Sequence, residues 1–236
     1  MAGPTDRTRL SRRVYEHSAA AHLLLVLLGE AVAYAMFCAA LARVAGLPAT
    51  TSVGLWLALF LATRLALVLA SFAFAWWMQR PWHLPPRRWL NMIVQELTAL
   101  LRFEWLILAE PFRREARDLP RLDPSSPLVI FIHGIYCNRG IWRPLMKQLR
   151  HAGCEVRAES VTPCTAELAV QVRKLAQSLA GTAACGRTRR IVVVAHSLGG
   201  LLARSCLSDV EVDTLICIAT PHAGSIVARA LLSPIG

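Results

Sequence analysis

The hexapeptide Ala195-His196-Ser197-Leu198-Gly199-Gly200 places a serine where a β-branched apolar run passes directly into a helical pattern. Ile191–Ala195 (IVVVA) reads as a strand buried on both faces, and Leu198–Leu207 as the helix after it. A bend this sharp needs small residues two before and two after the serine, here Ala195 and Gly199. It aims the Ser197 hydroxyl outward and sets it at a helix N-terminus. There the free N–H groups and the helix dipole favour a negatively charged oxygen. The chemistry this suits is nucleophilic attack by Ser197 on an acyl carbonyl. The rival reading is that Ser197 only caps its helix, as serine commonly does.

Acyl transfer also needs two preorganised donors for the developing oxyanion. Leu198 N–H, next to the nucleophile, is one candidate. The other is Ile135 N–H in His133-Gly134-Ile135, which follows the apolar run Leu128–Ile132 (LVIFI). Gly134 lets the backbone come close. His133 reads as a loop-ordering residue, not a base. A third motif, Thr220-Pro221-His222-Ala223-Gly224, follows Thr214–Ala219 (TLICIA). His222 stands at the end of the sheet from which a surrogate base could approach Ser197. His196 adjoins the serine, but its side chain should point away from the hydroxyl.

The elements that must position these groups alternate. Strands are expected at 128–132, 154–161, 191–195 and 214–219, and helices at 140–151, 165–179 and 198–207. The second helix has Leu168, Val172, Leu175 and Leu179 on one face. Strand alternating with helix implies right-handed crossovers and a parallel sheet, with chemistry at the carboxyl edge.

With HGI, AHSLGG and TPHAG in this order and spacing, the segment 127–236 resembles the bacterial lipase and esterase branch of the α/β-hydrolases. The resemblance implies a parallel-sheet α/β-hydrolase core, hydrolysis of carboxylic esters of a lipid-like or small kind, and a Ser–Asp–His triad in that chain order. The strict motif has glycine where Ala195 stands; alanine occurs there in some lipases of the family. In the family the triad Asp and His follow two further strands beyond TPHAG, so both are expected beyond Gly236. Asp209 and Asp213 precede the fourth strand, at the wrong end of the sheet. The domain therefore reads as C-terminally incomplete, with about four strands and TLICIA as an apolar edge. The sequence is then either the front of a longer hydrolase or a short protein that is not catalytic.

The front of the chain is different in kind. Apolar residues make up 55% of the 236 and are concentrated before residue 80. Ala19–Ala45 and Val53–Met78 are each long enough to cross the ~30 Å hydrocarbon layer. The breaker-rich segment Gly46–Ser52 between them makes this a two-helix transmembrane hairpin, spanning 19–80. A cleaved signal peptide is the rival for the first run, but its apolar core would be too long. Residues 1–18 form a basic tail, disordered or interfacial. Arg residues flank both outer ends, so both termini and the hydrolase domain are expected in the cytoplasm, at a bacterial inner membrane. Trp76, Trp77, Trp82 and Trp89 cluster at the exit of the second span. Glu30 and Arg64 are costly in mid-membrane and fall at similar depth, which predicts an ion pair between the two spans. The alternative is that Arg64 snorkels and Glu30 is neutral. Within 81–126, residues 87–109 form an amphipathic helix whose stripe is Leu90, Ile93, Val94, Leu97, Leu101, Trp105 and Leu108. It is too polar to span, and suits the membrane surface or the globular domain. Residues 110–127 read as a linker.

The formal charge of +11 does not indicate nucleic-acid binding. Fourteen of the 26 basic residues lie in 1–125, most of them beside apolar runs, where they report topology. No RNA- or DNA-binding signature occurs. The seven cysteines are odd in number, widely spaced and without a CxxC, which argues against a disulfide framework or a metal site. They suit packing as small hydrophobes in a reducing compartment. No HExxH, P-loop or GxGxxG is present, so no cofactor or metal is expected. No protein partner can be named from the sequence. The reading is a membrane-anchored esterase or lipase. Its rivals are a non-catalytic membrane protein using the hydrolase part for binding and, with only two spans in its favour, a small transporter component.

Overall fold

The structure, a computed structural model, describes residues 6–46, 48–79, 85–112, 126–161, 167–184, 190–207 and 209–225. The chain divides into two compact units: Leu23–Trp105, and Leu106–Gly236 together with Met1–His22. Expectations for Leu47, Arg80, Trp82, Cys164, Cys185, residues 113–125 of the 110–127 linker and 226–236 fall outside the described residues.

The second unit is built on a sheet of four parallel strands, β1 (Leu128–Ile132), β2 (Glu155–Glu159), β3 (Ile191–His196) and β4 (Thr214–Ile218), in the order β2-β1-β3-β4. All four expected strands form, and every pairing is parallel. Helices α4 (Arg143–His151), α5 (Leu168–Ala184) and α6 (Leu198–Cys206) make the crossovers. A 3-10 turn, Arg139–Trp142, precedes α4. Each residue of β1 is buried, as its uninterrupted apolar run requires. Leu128, Ile130 and Ile132 pack with Leu175 and Leu179 of α5 and Leu202, Ala203 and Cys206 of α6. Val129 and Phe131 face the other way, onto Trp142, Val156 and Val194, with Leu145, Met146 and Leu149 of α4 against them. One sheet face thus meets α5 and α6, and the other meets α4. After β1 the chain moves to one side of that strand, and after β2 it returns to the other. The space between the carboxyl ends of β1 and β3 is therefore a topological switch point.

The unit Leu23–Trp105 is helical. It holds most of α1 (Asp6–Ala45), all of α2 (Ala49–Gln79) and α3 (Pro86–Ala109) up to Trp105. Helix α1 starts earlier than expected, so residues 6–18 are helical, not a disordered tail. Ala19–Ala45 and Thr50–Met78 are long and apolar enough to cross a membrane, and large apolar side chains such as Leu25, Val44 and Trp77 cover their outer faces. Within this unit Arg64 is only 2% exposed, and its Nη1 meets Glu30 Oε2 at 2.5 Å. The expected ion pair is present. A second carboxylate joins it, since Arg64 Nη2 lies 3.3 Å from Glu104 Oε1 on α3. The guanidinium also stacks over Phe60, 4.2 Å from the ring centre. Tyr34 Oη and Thr63 Oγ1 share a hydrogen bond of 2.6 Å, and Trp56 Nε1 donates to Ala31 O at 3.1 Å.

Helix α3 is rotated from the expected stripe. Ile93, Leu97, Leu101 and Leu108 are half-buried, but Leu90, Val94 and Trp105 are exposed. Trp89 packs edge-on against Phe72, and Glu104 turns inward to Arg64. Pairing a buried guanidinium outweighs the best apolar alignment, because an unpaired charge costs several kcal/mol there. Arg64→Leu should lower stability by about 3–5 kcal/mol by stranding two carboxylates. Glu30→Leu should cost less, because Arg64 keeps Glu104. Thermal unfolding in detergent checks the order, and equal losses would contradict the shared role of Glu104.

Candidate active site

Strand β3 ends at His196 and α6 begins at Leu198, so a single residue, Ser197, makes the bend. Its backbone sits at φ 53, ψ −125. A non-glycine residue there is strained by about 1–3 kcal/mol and persists only where its surroundings hold it. Ser197 N–H donates to Ile218 O at 2.9 Å, which ties the bend to the end of β4. The side chain makes no capping bond to α6, and the residue is half-buried. The capping role weighed from the sequence is thus absent.

Among the described residues, the other non-glycine residues with positive φ are Tyr136 (54) and Ala219 (49). One follows β1 and the other follows β4, so all three strained residues lie beyond the carboxyl ends of adjacent strands. Such strain clusters at functional sites.

Three glycines are required by closeness. A Cβ on Gly134 would lie 2.9 Å from Ser197 Cβ and 3.1 Å from His196 Nδ1. On Gly199 it would meet His133 O at 2.5 Å, and on Gly200 it would meet Thr220 Oγ1 at 2.0 Å. The HGI loop, the serine bend and the TPHAG segment are therefore packed against one another at backbone distance. Leu198 N–H opens α6, before the first bond of that helix end, Gly200 N–H to Ser197 O at 3.0 Å. Ile135 is half-buried in the loop beside the bend, and its carbonyl accepts from Cys137 Sγ at 3.3 Å. Burial holds the Cys137 thiol protonated, with its pKa pushed up to about 12. It packs as an inert group.

His133 is 4% exposed. Its Nε2 accepts Val161 N–H at 3.1 Å, so the proton sits on Nδ1 and is donated to Gly134 O at 2.8 Å. Both nitrogens are used, and burial lowers the pKa to about 4. His133 is a neutral brace between the loops after β1 and β2, as a loop-ordering residue should be. The ring of His196 lies against Gly134, and burial lowers its pKa too. His222 is exposed, and its Nδ1 lies 3.4 Å from Arg204 Nη1. No hydrogen bond joins any of these three histidines to Ser197 among the described residues.

Sequence reasoning missed two residues here and gave a third, Thr220, no role beyond its motif. Thr220 is the neighbour that requires glycine at 200. Asn138 is 2% exposed, with Nδ2 donating to Ile107 O at 2.9 Å and Oδ1 accepting Gly140 N–H at 3.0 Å. Glu110, expected to open a linker, is instead buried in a 3-10 turn, Glu110–Phe112. There it binds Arg143 Nε at 2.7 Å and Arg139 Nη2 at 3.6 Å. The only local hint was an Asn-Arg-Gly triplet, a common turn signal.

Residues 129–236 match the model of the alpha/beta hydrolase family. Those residues, under half of the chain, are similar to that family. Among solved structures it is similar to the crystal structure of Bacillus licheniformis lipase BlEst2 in its mature form, at 23% identity and a TM-score of 0.41. That match covers 49% of each chain, so this chain spans about half the length of that lipase. Comparison with curated proteins gave no match.

Two outcomes follow for the α/β domain. Gly199→Ala should destabilise more than Gly200→Ala, since backbone blocks the first and a side chain the second. Overpacking of this kind costs about 1–3 kcal/mol. Thr220→Ala, added to Gly200→Ala, should recover part of the loss in a melting experiment. The low pKa of His133 also has a sign. Below pH about 6.5 the unfolded chain takes up a proton that the folded chain refuses until about 4. His133 should therefore weaken the fold as pH falls through that window, by up to about 3 kcal/mol. His133→Gln should flatten this part of a plot of Tm against pH.

Proposed function

We propose that this chain is a membrane-anchored serine hydrolase acting on carboxylic esters of a lipid-like or small kind, with Ser197 as nucleophile. The observation that carries the reading is the backbone of Ser197. A serine held at φ 53 between a strand and a helix, without capping that helix, is built to present its hydroxyl. In this reading Ser197 Oγ attacks the acyl carbonyl and loses its proton to a base. The N–H groups of Leu198 and Ile135 hold the oxyanion, the alcohol leaves with the proton, and water releases the acyl group. His133, Gly134, His196, Gly199 and Gly200 shape the loops. Following the family's chain order, the base and its aspartate lie outside the described residues, with His222 as an onlooker on Arg204.

Two apolar helices and the arginines beside them support anchoring at a bacterial cell membrane with the hydrolase domain on the cytoplasmic side. Such an anchor would keep the site near lipid-like esters. A second reading, a non-catalytic binding protein, is favoured by the lack of any described histidine bonded to Ser197. Fluorophosphonate labelling of membranes carrying the full chain separates the two. The hydrolase reading expects labelling of the wild type and none of Ser197→Ala, with ester turnover reduced by about 10⁴–10⁶. A folded wild-type chain that takes no label leaves the binding reading standing.

A further inference from the structure

We propose that the last turn of α3, from Leu106, and Glu110 form a positioning clamp on the loop that carries Ile135, so that the hydrolase site extends back to Leu106. This rests on the oxyanion role given to Ile135 above. The loop from Gly134 to Trp142 is fixed at one end by Gly134 against Ser197 and at the other by Trp142, whose ring lies 4.9 Å from that of Phe131. Between them it carries the strained Tyr136, and its hold comes from residues 106–110.

Two complementary needs meet here. The last four carbonyls of a helix have no partner within it, and Ile107 O is one of those at the end of α3. Asn138 Nδ2 supplies the missing donor, while Asn138 Oδ1 caps the Arg139–Trp142 turn through Gly140 N–H. Both backbone partners have defined roles, so the amide can sit only one way round. Gly140 lies so near that a Cβ would stand 2.2 Å from Leu106 O. Glu110 follows α3 directly, where a negative charge opposes the helix dipole. Arg139 and Arg143, which open the Arg139–Trp142 turn and α4, neutralise it from within the loop and its helix. The helix end and the loop therefore each complete the other. An oxyanion donor must be held to a fraction of an ångström, since about 1 Å of displacement can cost a hundredfold in rate. Asn138 and Glu110 are positioning residues for that donor.

Asn138→Asp keeps the oxygen that accepts Gly140 N–H and removes the donor to Ile107 O. Glu110→Gln keeps the size and removes the charge. Each full-length variant is measured in membranes by backbone hydrogen exchange, with α6 as internal reference, and by the rate of Ser197 acylation by a fluorophosphonate. We expect exchange across residues 134–142 to rise at least about tenfold with α6 unchanged. Maximal acylation should fall about tenfold to a hundredfold while the reagent concentration for half-maximal rate stays the same. Unchanged exchange in the loop overturns the clamp. Faster exchange with undiminished acylation shows packing without positioning, and overturns the proposal. A folded wild type that takes no label removes the hydrolase reading and this positioning role together, whereas labelling equal in wild type and variants removes the positioning role alone.

Discussion

The α/β domain depends on holding one serine in a conformation it would not adopt alone. Ser197 at φ 53 is kept there by what surrounds it: its N–H on Ile218 O, Gly134 against its Cβ, and α6 pressed on His133 O through Gly199. No single contact is strong. Together they leave no room for relaxation, because any side chain on the three glycines would collide with a neighbour. The strain is local and its support comes from three separate strands, which is why it sits at the carboxyl edge of the sheet.

Sheet order turns that strain into a candidate site. With β1 and β3 adjacent and the chain leaving β1 in the other direction, the two loops that carry Ile135 and Ser197 open into the same space. A buried neutral imidazole braces the first of them. Charged, His133 would need to donate from both nitrogens, and Val161 N–H would lose its acceptor. Desolvation therefore selects the protonation state that the hydrogen bonds require. The buried thiol of Cys137 serves the same loop as a small apolar filler.

The helical unit obeys a different rule. Its outer faces are apolar, so its specificity comes from the few polar groups inside. Arg64 draws a carboxylate from α1 and another from α3, and the second sets how α3 is turned. The same logic recurs at Glu110, where two arginines gather around one buried carboxylate. In both places a single charge that cannot remain alone organises elements distant in sequence.

Much of this was legible in the chain. Four strands, their parallel pairing, the serine bend and the pairing of Glu30 with Arg64 follow from patterns that are local or nearly so: continuous apolar runs, small residues at fixed offsets, and two charges at matching depth in a hairpin. Asn138 with Ile107 and Glu110 with Arg143 are 31 and 33 positions apart, and nothing in their neighbourhoods names the partner. Apolar periodicity likewise ignores Glu104, a carboxylate that a distant arginine claims. By itself the sequence determined which segments are strands, helices and bends, because periodicity and glycine act within a few residues. The tertiary structure alone decided which buried polar groups meet, because each must find a partner and only the packed fold brings one within reach.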